Sequence, residues 1–206
     1  MDEKMVNLLK KWGIICAVVI VVGALLYSCT AGTYNKMVTL DESVQSAWSQ
    51  VENQYQRRMD LIPNLVATVK GYAAHESSVL QAVTESRSRA GGTVKIDSSV
   101  LEDEEKFAQY QKAQNELSAN LQRLLAISEN YPSLKANENF LALQDELEGA
   151  ENRISVERKR YNEAAQTYNT FIRKFPKNII ASLCNFNKKA YFTAAQEAAK
   201  APEVSF

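Results

Sequence analysis

The 206 residues hold 24 basic and 24 acidic side chains, so the chain has no net formal charge and no field with which to collect nucleic acid. The first 35 residues carry only three of those bases and two of those acids, so the rest of the chain is balanced too. Seven Gly and four Pro leave few turns, and abundant Ala, Gln, Glu, Leu, Lys and Arg is the composition of long helices. Because one core is usually built from roughly 100–200 residues, the length allows one anchor and one ordinary globular domain.

Residues 1–11 form a short flank with Lys4, Lys10 and Lys11. From there to Lys36 no residue is charged, and the centre, Ile14 to Leu26, is almost wholly apolar. A hydrocarbon core about 30 Å thick needs about 20 such residues in helical form. The expectation is one transmembrane helix over residues 12–34, with Ile14, Val18, Val22 and Leu25 in lipid and Trp12, Tyr27 and Tyr34 at its edges. A rival reading starts from Leu26-Tyr27-Ser28-Cys29, which resembles a bacterial lipoprotein cleavage box; the mature chain would then be tethered through a lipid on Cys29. The lysines before the segment, against Lys36 followed by Asp41 and Glu42 after it, place the N-terminus in the cytoplasm and the folded part outside.

Residues 35–176 read as a helical bundle. Val44, Trp48, Val51, Tyr55, Met59, Ile62, Leu65, Val69 and Tyr72 follow steps of three and four, and Leu80 and Val83 resume the rhythm, the mark of a helix with one apolar face. Pro63 lies inside this stripe, which keeps its phase across it, so the spacing predicts a helix bent or divided near Pro63. Ala90-Gly91-Gly92-Thr93 and the polar stretch to Ser99 predict an interruption. The acids of Leu101-Glu102-Asp103-Glu104-Glu105 suit a helix start near residue 102. Its stripe runs Phe107, Tyr110, Gln114, Leu117, Leu121, Leu124, Ser128 and Tyr131, and Pro132 ends it. A third stripe from Asn137 to Phe175 passes through Phe140, Leu147, Ile154, Tyr161, Tyr168 and Ile172, and Pro176 closes it. The first stripe, divided at Pro63, and the other two give four rods, and short connections make an up-and-down antiparallel four-helix bundle the economical all-α architecture. Residues 177–206 lack clean periodicity except in Lys188 to Lys200, and read as a tail with a short helix there.

Several segments resemble the LemA family of bacterial membrane proteins. They are Tyr34-Asn35, Ala47 to Glu52, Gln56-Arg57-Arg58-Met59-Asp60-Leu61-Ile62-Pro63-Asn64-Leu65-Val66, Thr68 to Tyr72 with His75-Glu76, Glu151 to Ile154, Arg158 to Asn162, and Tyr168-Asn169 before Phe175-Pro176. The resemblance spans nearly the whole chain and implies a membrane-attached helical bundle that spans once. Cys29 departs from the spanning pattern.

Polar residues crowd the first and third stripes: Arg57, Arg58, Asp60 and Asn64 on one, and Asn152, Arg153, Glu157, Arg158 and Asn162 on the other. Charges that face a helical core must pair. They are expected to form a structural network between helices that sets their register, or alternatively a small-ligand site. A pocket lined by Arg57, Arg158 and Tyr161 would favour the ligand, and a filled core with an apolar surface strip would favour a scaffold.

No catalytic site is expected. A di-iron site needs a Glu-x-x-His on each of two helices, but His75 is the only histidine and it precedes Glu76. No serine sits in a G-x-S-x-G elbow and no glycine-rich phosphate loop is present. Cys16, Cys29 and Cys184 have no metal-like spacing, so neither a disulfide framework nor a zinc site is expected. The chain reads as a scaffold or protein-interaction module at the bacterial cell envelope, without cofactor or catalysis. Its expected partners are the lipid bilayer and other membrane or envelope proteins, with self-association as a subsidiary reading.

Overall fold

The computed structural model describes residues 3–94 and 98–193. Among the described residues every regular element is helical: α1 Glu3–Tyr72, α2 Ser77–Val94, α3 Glu104–Ile127, α4 Pro132–Lys135, α5 Glu138–Arg173 and α6 Lys177–Leu183, with single 3-10 turns at Ser98–Glu102 and Ser128–Asn130.

The apolar segment is the first part of α1. Ile14, Val18 and Val22 are exposed, and none of the most apolar stretch is buried inside the protein. The side chain of Leu25 lies outside the described residues. The helix then continues without a break into the folded part, where Met37, Val44, Trp48, Val51, Tyr55, Met59, Ile62, Leu65 and Val69 are buried in helical rhythm.

The division expected at Pro63 falls ten residues later. α1 is helical through Pro63 and ends at Tyr72, and the turn over 73–76 separates it from α2. A proline has no N–H for the carbonyl four residues back. That carbonyl belongs to Met59, and Nε of Arg87 on α2 donates to it at 3.0 Å. A neighbouring helix thus satisfies the oxygen that the proline leaves open.

The interruption expected from Ala90 is also displaced. α2 carries Gly91 and Gly92 as helix and ends at Val94. Each glycine costs a helix about 1 kcal/mol relative to alanine, which the packing of Leu80, Val83, Ser86 and Ala90 offsets. α3 starts close to the expected place, where Asp103 caps the helix by accepting from the backbone N–H groups of Glu105 and Lys106, both at 3.0 Å. Asn137 does the same for α5, accepting from Phe140 N–H at 3.0 Å.

Side-chain bonds give the helix directions. On α1 and α5, Tyr55 meets Arg158 while Arg58 meets Glu151, so these helices are antiparallel. On α2 and α3, Ala82 meets Asn120 while Arg89 meets Glu116, so these are antiparallel as well. α1 and α3 lead away from the apolar segment, and α2 and α5 return toward it.

The core has two parts. Near the apolar segment, Trp48 is ringed by Phe107, Tyr110, Tyr161 and Phe192 at centroid distances of 5.3–6.0 Å, the first three tilted or edge-on and Phe192 stacked. At the far end the filling is aliphatic: Ile62, Leu65, Val69, Val83, Leu117, Leu124 and Leu134, closed by Phe140.

The tail differs from its expected form. The short helix is α6, and residues 188–193, where a helix was expected to begin, are non-helical. Residues 194–206, which hold the rest of that expected helix, lie outside the described residues.

Candidate functional site

The polar residues of the bundle gather in two places, each at a junction of three elements. The first is built on Arg58. Its side chain is fully buried, and α1 aims it between α3 and α5. Nη1 donates to Ser118 Oγ and to Glu151 Oε1, both at 2.6 Å, and Nη2 donates to Gln114 Oε1 at 2.6 Å. Gln114 and Ser118 are one helical turn apart on α3, so both present the same face to the guanidinium. Glu151 is part-exposed, so the pair has a buried cation and a wetted carboxylate.

Tyr55, one turn before Arg58, extends the cluster. Its ring centroid is 5.2 Å from the guanidinium carbon of Arg58 and 5.4 Å from that of Arg158. Arg158 Nε donates to the Tyr55 hydroxyl at 2.6 Å, and its Nη2 donates to Asn115 at 3.3 Å. Burial pushes the Tyr55 phenol above its ordinary pKa, with the two arginines offsetting only part of that. Burial does the same to Tyr110 and Tyr161. These three hydroxyls are therefore held in the neutral form.

The second junction holds the tail. Asn169 of α5 clamps the backbone of Lys189 through both its N–H and its carbonyl, at 2.9 and 2.8 Å. Asn162 clamps Phe192 in the same way, at 2.9 Å each. Seven residues of α5 advance about 10 Å, and three residues of tail cover that distance only when close to fully extended. The tail is thus a strand-like strap, with two asparagine amides substituting for a neighbouring strand. From α3 the side chain of Gln111 bonds both the N–H and the carbonyl of Thr193, Ala190 N–H donates to Leu101 O at 2.7 Å, and the Tyr161 hydroxyl donates to Ala190 O at 3.0 Å.

Lys189 is the charged centre of this junction. It is buried, and its ammonium meets Asp41 of α1 at 2.9 Å and Glu102 of the turn before α3 at 2.7 Å. Burial opposes the charge, but the hydrogen bonds with Glu102 and Asp41 outweigh it and hold Lys189 above the ordinary lysine pKa. Burial likewise works against ionised Glu102, but bonds from Lys189 and Asn187 prevail and hold its pKa below the ordinary value.

Of the nine polar residues singled out in the sequence, Arg58, Arg158 and Asn162 take part in these junctions. Arg57, Asp60 and Asn64 are exposed on α1, where Asp60 accepts from Gln56 one turn earlier at 2.7 Å. Asn152 is exposed, and Arg153 reaches Gln54 at 3.3 Å. Glu157 pairs with Arg160 on its own helix at 2.7 Å, so the carboxylate that crosses between helices is Glu151 instead. Sequence reasoning missed Glu151, Ser118 and Lys189 with its two acids. Gln114, a polar residue inside an apolar stripe, was the available signal.

Arg57, Arg158 and Tyr161 do not share a pocket. Arg57 faces solvent, Tyr161 is buried in the aromatic core, and Arg158 lines an open depression of about 600 Å³ with Asn162, Glu163 and Tyr191. A second depression of about 410 Å³ runs between α3 and α5 beside Ser118, Leu121, Leu147 and Glu151. Cys16, Cys29 and Cys184 are exposed and carry free thiols.

Helices packed on a wetted ion pair and a clamped strap, with an unburied apolar helix leading in, define a membrane-associated helical protein. The chain belongs to the LemA family, whose profile matches residues 47–206. It is similar to Magnetosome protein MamQ 2 of Paramagnetospirillum magneticum, 30% identical over 177 residues, and to Magnetosome protein MamQ of Magnetospirillum gryphiswaldense, 29% identical over 177 residues. Each of those matches covers 77% of this chain and 64% of the relative. It is also similar to Protein LemA of Metamycoplasma hominis, 24% identical over 172 residues, covering 84% of this chain and 74% of that one.

Proposed function

We propose that this protein is a membrane-tethered scaffold: α1 crosses the bilayer once, the N-terminus is cytoplasmic, and the bundle stands on the outer side of the membrane as an interaction module for other envelope proteins, without catalysis of its own. The observation that carries this reading is the use to which the polar side chains are put. Arg58, Gln114, Ser118 and Glu151 bind one another, Asn162 and Asn169 bind the tail, and Lys189 of the tail binds Asp41 and Glu102. Chemistry that a ligand site would present to a substrate is spent on holding helices in register. The continuity of α1 also supports it, since one helix passes from the apolar segment into the core and fixes the bundle rigidly to its anchor. Attachment through a lipid on Cys29 is the alternative form of tether, because it would keep α1 after residue 28 and lose the span. The magnetosome setting named for the MamQ relatives is not required by either form.

The test is crosslinking in living cells from a photoreactive residue placed at Val156 or Leu141, both exposed apolar positions on the long return helix α5. A scaffold captures the same few membrane or envelope proteins from neighbouring positions on one face and none from the opposite face. Capture that is indifferent to position, together with a melting temperature raised by small metabolites, would instead favour a ligand carrier using the depression beside Glu151.

A further inference from the structure

Outside the apolar segment the three most exposed large apolar side chains among the described residues are Phe175, Leu183 and Ile179, at 82, 78 and 52% of full exposure. Ile179 and Leu183 are four residues apart on α6 and share one face of that helix, and Phe175 lies in the turn that leads into it. The buried Ala181 lies on the opposite face, toward the bundle.

α6 sits where α1 enters the bundle. Ala181 shares a buried cluster with Met37, and Tyr34 meets Phe186 edge-on at 5.6 Å. The antiparallel register set by Arg58 with Glu151 and Tyr55 with Arg158 brings Phe175 level with about residues 34–38 of α1. If the hydrocarbon core takes about 20 residues from Trp12, it ends near Ala31, and Tyr34 and Met37 lie about 5–9 Å beyond it. That is the depth of the headgroup layer, about 5–8 Å on each side of the hydrocarbon.

The charge agrees. From Ala164 to Thr193 the sequence has five basic residues and no acid. Lys188 and Lys189 are paired with Glu104, Asp41 and Glu102. Arg173, Lys174 and Lys177 flank the exposed apolar face, and Lys177 rests over the Phe171 ring at 3.8 Å.

We propose that α6 is an interfacial helix: Phe175, Ile179 and Leu183 insert at the headgroup boundary of the membrane that α1 crosses, and Arg173, Lys174 and Lys177 contact anionic phospholipid headgroups. This rests on α1 crossing the bilayer. The bundle then stands on two feet, a span and a surface helix, and its tilt is restrained. A helix of this composition beside a bilayer gains from apolar insertion and from attraction to anionic lipid together.

The experiment uses the full chain in liposomes, with Cys16, Cys29 and Cys184 replaced by Ser. An environment-sensitive fluorophore is attached at Leu183→Cys, at Ile179→Cys, at Val18→Cys in the anchor, or at Leu141→Cys toward the far end of the bundle. Quenching by lipids spin-labelled near the headgroup is expected at positions 183 and 179 and absent at 141, while position 18 is read with lipids labelled deep in the acyl chain, which should quench it. Replacing Arg173, Lys174 and Lys177 by Gln, or omitting anionic lipid, should weaken quenching at 183 several-fold and leave position 18 unchanged. Quenching at 18 without any at 183 and 179 overturns the interfacial helix while the span stands. Absence of quenching at 18 overturns both.

Discussion

Arg58 reaches its three partners from the last quarter of a 70-residue helix, with a guanidinium sealed from water and a carboxylate that is not. Removing the carboxylate strands the cation, whereas Glu157 and its partner Arg160 are near neighbours on one helix and the arginine is well exposed. A charge-assisted bond to a buried group is worth about 1.5–3 kcal/mol, and a pair along one helix whose cation stays in water, as Arg160 does, about 0.5 kcal/mol or less. Glu151→Ala is therefore expected to lower stability by about 2–3 kcal/mol and Glu157→Ala by about 0.5 kcal/mol, alanine being a good helix former at both positions. Urea denaturation of the two variants in detergent compares them directly, and equal losses would count against the buried pair. Half of this cluster was legible beforehand. A polar residue beside an apolar stripe marks Arg58 as needing a partner, but which acid answers it depends on the rotation of α5 about its own axis. Glu157 fits the stripe better than Glu151 does, and packing nonetheless turns Glu151 toward the cation.

At the level of elements, α1 passes Pro63 because α2 supplies a donor. Met59 is buried, so its carbonyl could not turn to water for the missing bond. Arg87→Met keeps most of the side-chain volume and removes the donor, which is expected to cost about 1–3 kcal/mol, the penalty of an unsatisfied buried carbonyl. In a Pro63→Ala background the residue at position 63 regains an N–H aimed at Met59 O, and the same Arg87→Met change should then cost markedly less. A double-mutant cycle by thermal denaturation measures the difference; a coupling near zero would mean that Arg87 merely packs there. This explains why the division of the first stripe was misplaced. A proline announces a lost bond, while the arginine that replaces it sits 28 residues beyond Met59 in another helix. The true turn at 73–76 was hidden for the opposite reason: the apolar rhythm resumes in phase at Val79 and Leu80, so periodicity runs through it. The strap was equally illegible, because asparagine amides that bind a backbone leave no periodic trace. The apolar helical segment of α1, α3 and α5 were readable since composition and spacing alone decide them.

Across the whole molecule, one ion cluster ties together the parts that the chain places far apart. Asp41 comes from α1 just past the apolar segment, Glu102 from the turn before α3, and Lys189 from the strap. These bonds hold the tail against the bundle at the end nearest the anchor, and the perturbed pKa values make the hold depend on pH. Glu102 is held below its ordinary value of 4.5, so the unfolded chain binds more protons in that range, and the stability it contributes is complete above 4.5 and lost as pH falls through the lowered value. Lys189 is held above its ordinary 10.5, so its contribution is complete below that pH and lost as pH rises through the raised value. Between these limits the strap should be firmly seated. Hydrogen-exchange protection factors, which remove the pH dependence of the intrinsic rate, are therefore expected to fall at the Lys189 and Phe192 amides, whose acceptors are Asn169 and Asn162, on the acid side before they fall in α5, because the strap depends on the cluster and the helix does not. Glu102→Gln should weaken the seating at neutral pH and flatten the acid dependence at both amides; an acid limb that keeps its full height in that variant would mean that the cluster does not hold the strap.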